Sequence, residues 1–238
     1  MELPLGIFGV AIAVVILPAL SRKHAESSTK EFSETLDWAL RLVCLIAIPS
    51  TIGLILLSGP LLATLFQNEN FSANDVISAA GSLRAYAFGL LAFMSIKVFS
   101  PGYFSRQNTR TPVRIGIIAM LLNMVMNIVF YWNGMAHVGL ALATSIAAFV
   151  NAGLLFFGLI KERVFSFQSG WVRYSIQLFF ANLILALFLI YYSDELSIWL
   201  NWQTETKILQ LGILVFGGIV IYFVSLIVLG LRWRHIHR

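Results

Sequence analysis

The chain has 238 residues, of which 59% are hydrophobic and only 11% are charged, and its net charge is +5. A soluble domain carries about 25% charged residues, so too few charges remain here to cover a surface that faces water. The cations lie in short segments between apolar runs, where they orient membrane helices and meet anionic headgroups, and this placement excludes nucleic acid as a partner.

Seven apolar runs are long enough to cross a membrane. About 20 residues span the hydrocarbon core, and backbone groups in lipid need partners within the segment, so each run is predicted to be a helix. In chain order, the predicted spans are Leu3–Leu20, Leu36–Leu57, Val76–Phe99, Pro112–Trp132, Met135–Ile160, Trp171–Tyr192 and Ile208–Leu231. The polar stretch over residues 21–35 predicts an interfacial helix. The fold class is therefore an all-α polytopic membrane protein with about seven transmembrane helices.

The loops between these runs alternate in charge. Lys and Arg are frequent in residues 21–30, 106–114, 161–173 and 232–238, whereas residues 67–75, 133–137 and 193–207 together hold one cation, Lys207. This positive-inside pattern predicts a multi-pass protein of the bacterial inner membrane with a cytoplasmic C-terminus. Seven spans then place the N-terminus outside, which is unusual without a signal peptide. We therefore expect that sequence upstream of Met1 is missing.

Three prolines, Pro18, Pro49 and Pro60, fall in or at the ends of the predicted helices. Proline removes a backbone donor and kinks a helix. Two interpretations stay open, a static packed kink or a bend that takes part in alternating access.

Charged residues inside the spans are candidates for function. Arg84 lies deep in the third span, where a charge is costly, so it should face a cavity or a partner unless it snorkels to the outer interface. Lys97 lies near the inner end of the same span, where snorkelling is easier, and Arg41 is interpreted as a snorkelling anchor of the second span. Glu2 needs a partner in the membrane only if its helix extends upstream.

Asn123 and Asn127 are four residues apart in the fourth span and therefore share a helix face. Two such amides can bridge helices or offer carbonyl oxygens to a cation. The sequence contains no Walker A loop, no His-Glu-x-x-His motif and no Gly-x-Ser-x-Gly motif, and its single cysteine, Cys44, excludes a multi-cysteine metal site. The residues therefore give little support to an enzyme.

Several local sequences resemble the MurJ/MviN family of lipid II flippases, in the MOP exporter superfamily. They are Glu2-Leu3-Pro4 with Gly6 and Gly9, Leu17–Ser21, Asp37-Trp38 before Arg41-Leu42, Pro49-Ser50, Leu57–Pro60 through Leu65-Phe66, and Lys97–Gln107 closed by Thr111–Val113. The match is collinear over nearly the whole chain. The family fold is a two-lobed bundle of fourteen helices, and the resemblance implies that this chain is its C-terminal half. Residues 1–163 would form the five-helix bundle of the second lobe, and residues 164–238 would add two C-terminal helices that form a lipid-tail groove.

The resemblance also implies a function. Family members move lipid II, an undecaprenyl-pyrophosphate-linked disaccharide-pentapeptide, from the inner to the outer leaflet by alternating access for peptidoglycan synthesis. The implied partners are lipid II, membrane lipids and a missing N-terminal lobe. The implied substrate or cavity residues are Glu2, Arg84, Lys97 and Arg106. No cofactor is implied, and transport would be coupled to the membrane potential, Na⁺ or H⁺.

Some family members bind sodium through an i, i+4 pair and a threonine on the next helix. The positions that match are Asn123, Asn127 and Thr144. Asn127 stands where a carboxylate would be expected, which departs from the family pattern.

Three alternatives stay open beside the flippase. One is another MOP-superfamily exporter, of a polysaccharide-lipid or of drugs, and another is an inactive half-protein or scaffold. The third, an enzyme that transfers polyprenyl phosphates, would need paired acidic residues. The cytoplasmic loops offer only Glu26, Glu31, Glu34, Asp37 and Glu162, without a paired motif.

Overall fold

The computed structural model describes residues 4–231, which form a bundle of helices. The helices are α1 (Leu5–Gly9, π-helical), α2 (Val10–Ala25), α3 (Thr29–Leu56), α4 (Ser58–Leu65), α5 (Ala73–Phe88), α6 (Leu90–Phe104), α7 (Arg110–Trp132), α8 (Ala136–Lys161), α9 (Trp171–Tyr192), α10 (Leu196–Asn201) and α11 (Thr204–Val228). Within the described residues, seven helical stretches are long and apolar enough to cross a membrane. This confirms the predicted all-α polytopic fold.

The ends of the helices define two faces of the bundle. The cation-rich face carries residues 26–28, 105–109 and 162–170, and the cation-poor face carries residues 66–72, 133–135 and 193–203. Because the helices alternate in direction, these segments coincide with the charge alternation seen in the sequence.

Residues 21–35 do not form a separate interfacial helix, so that prediction is wrong. α2 continues to Ala25, the chain turns at Ser27 with a positive φ of 54°, and α3 begins at Thr29. The first turns of α3 already bury Phe32 in the core, while Lys23 pairs across the turn with Glu31. The polar residues are therefore the water-facing ends of two transmembrane helices.

The third span is two helices rather than one. α5 ends and α6 begins at Gly89, where a Cβ atom would lie 2.6 Å from the Ser145 hydroxyl oxygen of α8. Ser145 Oγ in turn donates to the Ala85 carbonyl at 2.6 Å. The missing side chain thus lets α8 cross closely at the break.

The buried side chains form two main clusters that meet on α3. The first lies where α2, α3, α6 and α8 converge, around Leu36, Met94 and Leu159. The second joins α3 and α4 to α9, α10 and α11, around Leu45, Leu185 and Leu214. The last two long helices therefore pack on the bundle through α3 and α4.

α7 is the least buried of the seven spans. It packs mainly on α8 and leaves a long apolar face exposed, formed by Val113, Ile117, Leu121, Met124 and Ile128. Such a face is stable against lipid or apolar helices and not against water.

Candidate functional site

Arg84 lies roughly 17 Å along α5 from Ala73. Its Nε donates to Ser58 Oγ at 2.7 Å, and Ser58 Oγ donates to the Ile55 carbonyl at 3.1 Å. Ser58 is fully buried at the junction of α3 and α4, but Arg84 itself is exposed. The guanidinium is therefore anchored at one nitrogen and presents its remaining donors outward.

Lys97 is an exposed residue of α6, and its aliphatic stem runs past Gly9, where a Cβ atom would lie 3.7 Å from Lys97 Cγ. Within residues 4–231 its ammonium makes no salt bridge. Arg84 and Lys97 are separated by roughly 20 Å along the α5–α6 span, so the structure does not bring them together. Glu2 lies outside the described residues.

Arg106 lies just beyond α6, at the cation-rich face. Its Nη2 is 2.7 Å from Glu162 Oε2, its Nε donates to the Gly102 carbonyl at 2.9 Å, and its guanidinium sits over the Tyr103 ring at 5.3 Å. These contacts tie the end of α6 to the end of α8. The geometry therefore gives Arg106 a structural contact at the cation-rich face, and the cavity position that the resemblance implies stays a prediction.

Asn123, Asn127 and Thr144 are brought together between α7 and α8. Asn127 Nδ2 donates to Asn123 Oδ1 at 3.1 Å, Asn123 Nδ2 donates to Thr144 Oγ1 at 3.2 Å, and Thr144 Oγ1 donates to the Leu140 carbonyl at 2.9 Å. The predicted cluster is therefore a chain of hydrogen bonds between two helices.

This arrangement does not fit a sodium ion. A hard cation takes several oxygen ligands, with carboxylates prominent among them. Here the oxygens of Asn123 and Thr144 already accept hydrogen bonds, and only Asn127 Oδ1 is buried without a partner among the described residues of the cluster. Residues 4–231 also contain no group of three or more His, Cys, Asp or Glu side chains that could hold a metal. The cluster acts instead as polar contact between neighbouring membrane helices.

An apolar cleft of about 400 Å³ lies between α3 and α9. Its walls are formed mainly by Ile48 and Ile52 of α3 and by Leu178, Phe179 and Leu183 of α9. Ser175 and Asn182 are polar residues of the wall. Asn182 Nδ2 donates to the Leu178 carbonyl at 2.8 Å, and Asn182 Oδ1 has no partner within residues 4–231. The cleft can therefore take an apolar chain, not a charged group.

A buried polar cluster at the cation-rich face is absent from the sequence-based predictions. Arg41 is not the snorkelling anchor that the sequence predicts, because its Nε donates to Asp37 Oδ2 at 2.8 Å and both side chains are almost fully buried. Asp37 Oδ1 accepts from Trp171 Nε1 at 2.6 Å and from the Gln168 backbone N–H at 3.2 Å. The i, i+4 spacing of Asp37 and Arg41 is the signal that the sequence offers, but the other partners lie about 130 residues away in the chain.

A second polar contact, at the cation-poor face, joins α10 and α11 to the segment that follows α4. Lys207 Nζ of α11 donates to Gln67 Oε1 at 2.8 Å, and Gln67 Nε2 donates to the Leu200 carbonyl of α10 at 3.1 Å. Lys207 is 6% exposed, although it is the single cation of the three cation-poor loops in the sequence. α9, α10 and α11 are thus attached to the bundle by polar contacts at both faces, with the apolar cleft between them.

Comparisons with known proteins agree with this architecture. The family model described as Lipid II flippase MurJ matches residues 1–211. A probable lipid II flippase MurJ from Vibrio cholerae is 44% identical over 98% of this chain and 44% of its own length. A probable lipid II flippase MurJ from Haemophilus influenzae is 39% identical over 99% of this chain and 47% of its own length. The chain spans about half the length of these relatives.

A solved structure of the lipid II flippase MurJ in an inward closed conformation superposes on this chain with a TM-score of 0.77 at 27% identity. The superposition covers 99% of this chain and 45% of the other. Together with the seven apolar helices, these matches make the protein a multi-pass protein of the inner membrane. The family model and the relatives that cover nearly the whole chain show that it belongs to the MurJ family of lipid II flippases.

Proposed function

We propose that this chain forms about half of a lipid II flippase, a carrier rather than an enzyme, which moves lipid-linked peptidoglycan precursor across the inner membrane. The observation that carries the proposal is the match of 98% of the chain to a flippase relative at 44% identity. The other MOP exporters and the inert scaffold that the sequence leaves open have no comparable support.

The cleft between α3 and α9 suits the undecaprenyl tail. Its walls are apolar, and it opens on a helix, α9, whose Phe179 and Leu183 are exposed where lipid would surround the protein. A chain of isoprene units could therefore leave the bilayer sideways without crossing a polar surface. In this proposal, residues 164–238 add the helices of the lipid-tail groove to the five-helix bundle of residues 1–163.

Arg84 and Lys97 are the proposed contacts for the pyrophosphate and sugar end of the lipid. Both are exposed cations on a helix pair within the membrane, where an unpaired charge is costly and marks a functional position. The planar guanidinium of Arg84 can donate to two phosphate oxygens at once, whereas Lys97 acts as a point charge. On the family resemblance alone, Glu2 and Arg106 are also proposed as residues of the substrate path; in the described part of the chain, Arg106 pairs with Glu162.

A chimera tests the proposal. In the Vibrio cholerae relative, the region that aligns with this chain would be replaced by the chain itself, and the chimera would be expressed in cells depleted of their flippase. We expect it to restore growth and the appearance of lipid II in the outer leaflet. A chimera that reaches the membrane in normal amount but restores neither, or that restores only export of a surface polysaccharide, would refute the proposal.

The same chimera tests the proposed role of Arg84 in substrate binding. Arg84→Ala should abolish rescue, Arg84→Lys should retain part of it, and Ser58→Ala should retain most of it because it removes the anchor but not the charge. Full rescue by Arg84→Ala at normal expression would remove Arg84 from the substrate path.

A further inference from the structure

Pro49 interrupts the hydrogen bonds of α3. It lies inside this helix, and proline has no backbone N–H to donate to the carbonyl four residues earlier. That carbonyl belongs to Leu45, which is 7% exposed. A buried carbonyl in a membrane helix needs another donor, because neither water nor lipid supplies one there.

Tyr222 of α11 supplies that donor. Its hydroxyl donates to the Leu45 carbonyl oxygen at 2.8 Å, and the Tyr222 side chain is itself buried, with 4% exposure. The bond joins residues 177 positions apart in the sequence. A hydroxyl from one helix thus replaces the backbone donor that a proline removes from another.

Tyr174 of α9 offers a matched contrast. Its hydroxyl donates to the Arg41 carbonyl of the same helix, α3, at 2.6 Å, and its side chain is equally buried. Arg41 is followed four residues later by Leu45, which has a backbone N–H to donate. The Tyr174 hydroxyl therefore adds a second hydrogen bond to a carbonyl that already has a backbone donor within the helix. The Tyr222 hydroxyl instead replaces a backbone donor that is absent.

The missing hydrogen bond at Pro49 lies beside the apolar cleft. Cys44, Ile48 and Ile52 of α3, which flank Leu45 and Pro49, form one wall of the cleft. The other wall is α9, which packs against α11 through Leu185 and Gly218. A change in the bend of α3 at Pro49 would therefore change the width of the cleft unless α11 moves with it.

We propose that Tyr222 is a positioning residue that clamps α3 to α11 where Pro49 interrupts the helix, and so sets the shape of the cleft. The clamp makes α11 and this part of α3 move together, so that the distance between the two walls of the cleft is kept when α3 bends. The role in transport rests on the proposed function, but the clamp itself does not.

A double-mutant cycle in the chimera tests the clamp. Tyr222→Phe removes only the hydroxyl, and Pro49→Ala returns a backbone donor to Leu45. We expect Tyr222→Phe to lower the unfolding midpoint and to reduce lipid II translocation about threefold when Pro49 is present. In the Pro49→Ala background, we expect Tyr222→Phe to change the unfolding midpoint by less than half as much. Tyr174→Phe, the matched control, should lower the midpoint equally in both backgrounds.

A distance measurement separates positioning from simple stability. Spin labels at positions 30 and 65, in a Cys44→Ala background, lie on either side of Pro49, near the start of α3 and at the end of α4. Tyr222→Phe should broaden the distribution of distances between the labels, and Tyr174→Phe should leave it unchanged.

Equal effects of Tyr222→Phe with and without Pro49, or an unchanged distance distribution, would overturn the clamp. The midpoint and the distances do not depend on transport. If the unmutated chimera fails to rescue growth, the proposed function fails, and these two measurements still decide the clamp.

Discussion

At the scale of single residues, the buried pair of Asp37 and Arg41 shows how α9 is attached. The carboxylate accepts from Arg41, from the Trp171 indole and from a backbone N–H, and Arg41 Nη2 donates to the Ser169 carbonyl at 3.0 Å. The guanidinium also lies 5.3 Å from the Trp171 ring centre. A charge pair so fully hydrogen-bonded can be buried, but neither member can be removed without leaving the other uncompensated.

Asp37→Ala should therefore destabilise the protein by about 3 kcal/mol, because it leaves the buried Arg41 charge without its carboxylate. The measurement is the free energy of unfolding of the purified chain in detergent. The control is Glu31→Gln, which removes a carboxylate from a water-exposed ion pair with Lys23 and should leave the unfolding transition in place. Equal losses for the two variants would contradict the buried-pair argument.

The close approach of Tyr103 to Gly158 gives a second prediction at the scale of single residues. Any Cβ at this position would overlap the Tyr103 hydroxyl, which donates to the Leu155 carbonyl at 2.8 Å. Gly158→Ala should cost about 2 kcal/mol of unfolding free energy through this overlap, and adding Tyr103→Phe should recover part of the loss. A Cβ at Gly153 of the same helix would have no heavy atom within 4 Å apart from its chain neighbours and the surrounding helix backbone, so Gly153→Ala should be neutral or stabilising. Similar losses at both glycines would refute the overlap.

At the scale of elements, the α7–α8 pair is joined by the chain of Asn127, Asn123 and Thr144. The side-chain N–H groups of Asn127 and Asn123 donate to Asn123 Oδ1 and Thr144 Oγ1, which are oxygens that a cation would need as ligands. The predicted i, i+4 face is thus present, and of the two uses left open by the sequence, the geometry favours contact between helices.

Sodium should therefore not stabilise this protein. Exchange of NaCl for KCl at equal ionic strength is expected to leave the unfolding midpoint of the chain unchanged. Within the described residues, the Asn127–Asn123–Thr144 cluster has one side-chain oxygen without a hydrogen-bond partner, Asn127 Oδ1, and a cation needs several oxygen ligands. A midpoint that rises with Na⁺ and saturates, but does not rise with K⁺, would show ligand binding and contradict this prediction.

Helix number and type are predictable because an apolar run of about 20 residues in a membrane has few alternatives to a helix. Helix ends are less predictable. The helical pattern does not show that α5 stops at Gly89, since the break depends on the approach of Ser145 from another helix. Residues 21–35 are polar enough for an interfacial helix, but the burial of Phe32 against distant residues makes them parts of α2 and α3.

The candidate site is predictable only where its parts are close in the sequence. The pairing of Asn123 with Asn127 follows from helix geometry. The partners of Lys207 and Leu45, and the partners of Asp37 other than Arg41, lie more than 100 residues away, so no spacing rule indicates them. The prediction for Arg41 is wrong for the same reason, because its burial depends on α9 covering it.

At the scale of the whole molecule, α9, α10 and α11 are held against α3 and α4 at both membrane faces. The hydrogen bond between Asp37 and Trp171 joins α9 to α3 at the cation-rich end, and the hydrogen bond between Gln67 and Lys207 joins α11 to the bundle at the cation-poor end. Apolar packing around Leu185 and Leu214 lies between these two contacts. Polar contacts at the two ends fix the position of these helices along the bundle, because apolar packing alone is tolerant of sliding.

Substitutions of Gln67 and Lys207 test how α11 is attached at the cation-poor face. Gln67→Leu leaves the buried Lys207 ammonium without its acceptor and should cost about 2 kcal/mol of unfolding free energy. Lys207→Met removes the charge and keeps the length of the side chain, so it should cost less. The double variant should cost less than the sum of the two, because the unpaired charge created by the first change is absent after the second. Additive losses, measured in the same detergent unfolding assay, would mean that Gln67 and Lys207 do not stabilise each other and that α11 is held at this face by its apolar contacts alone.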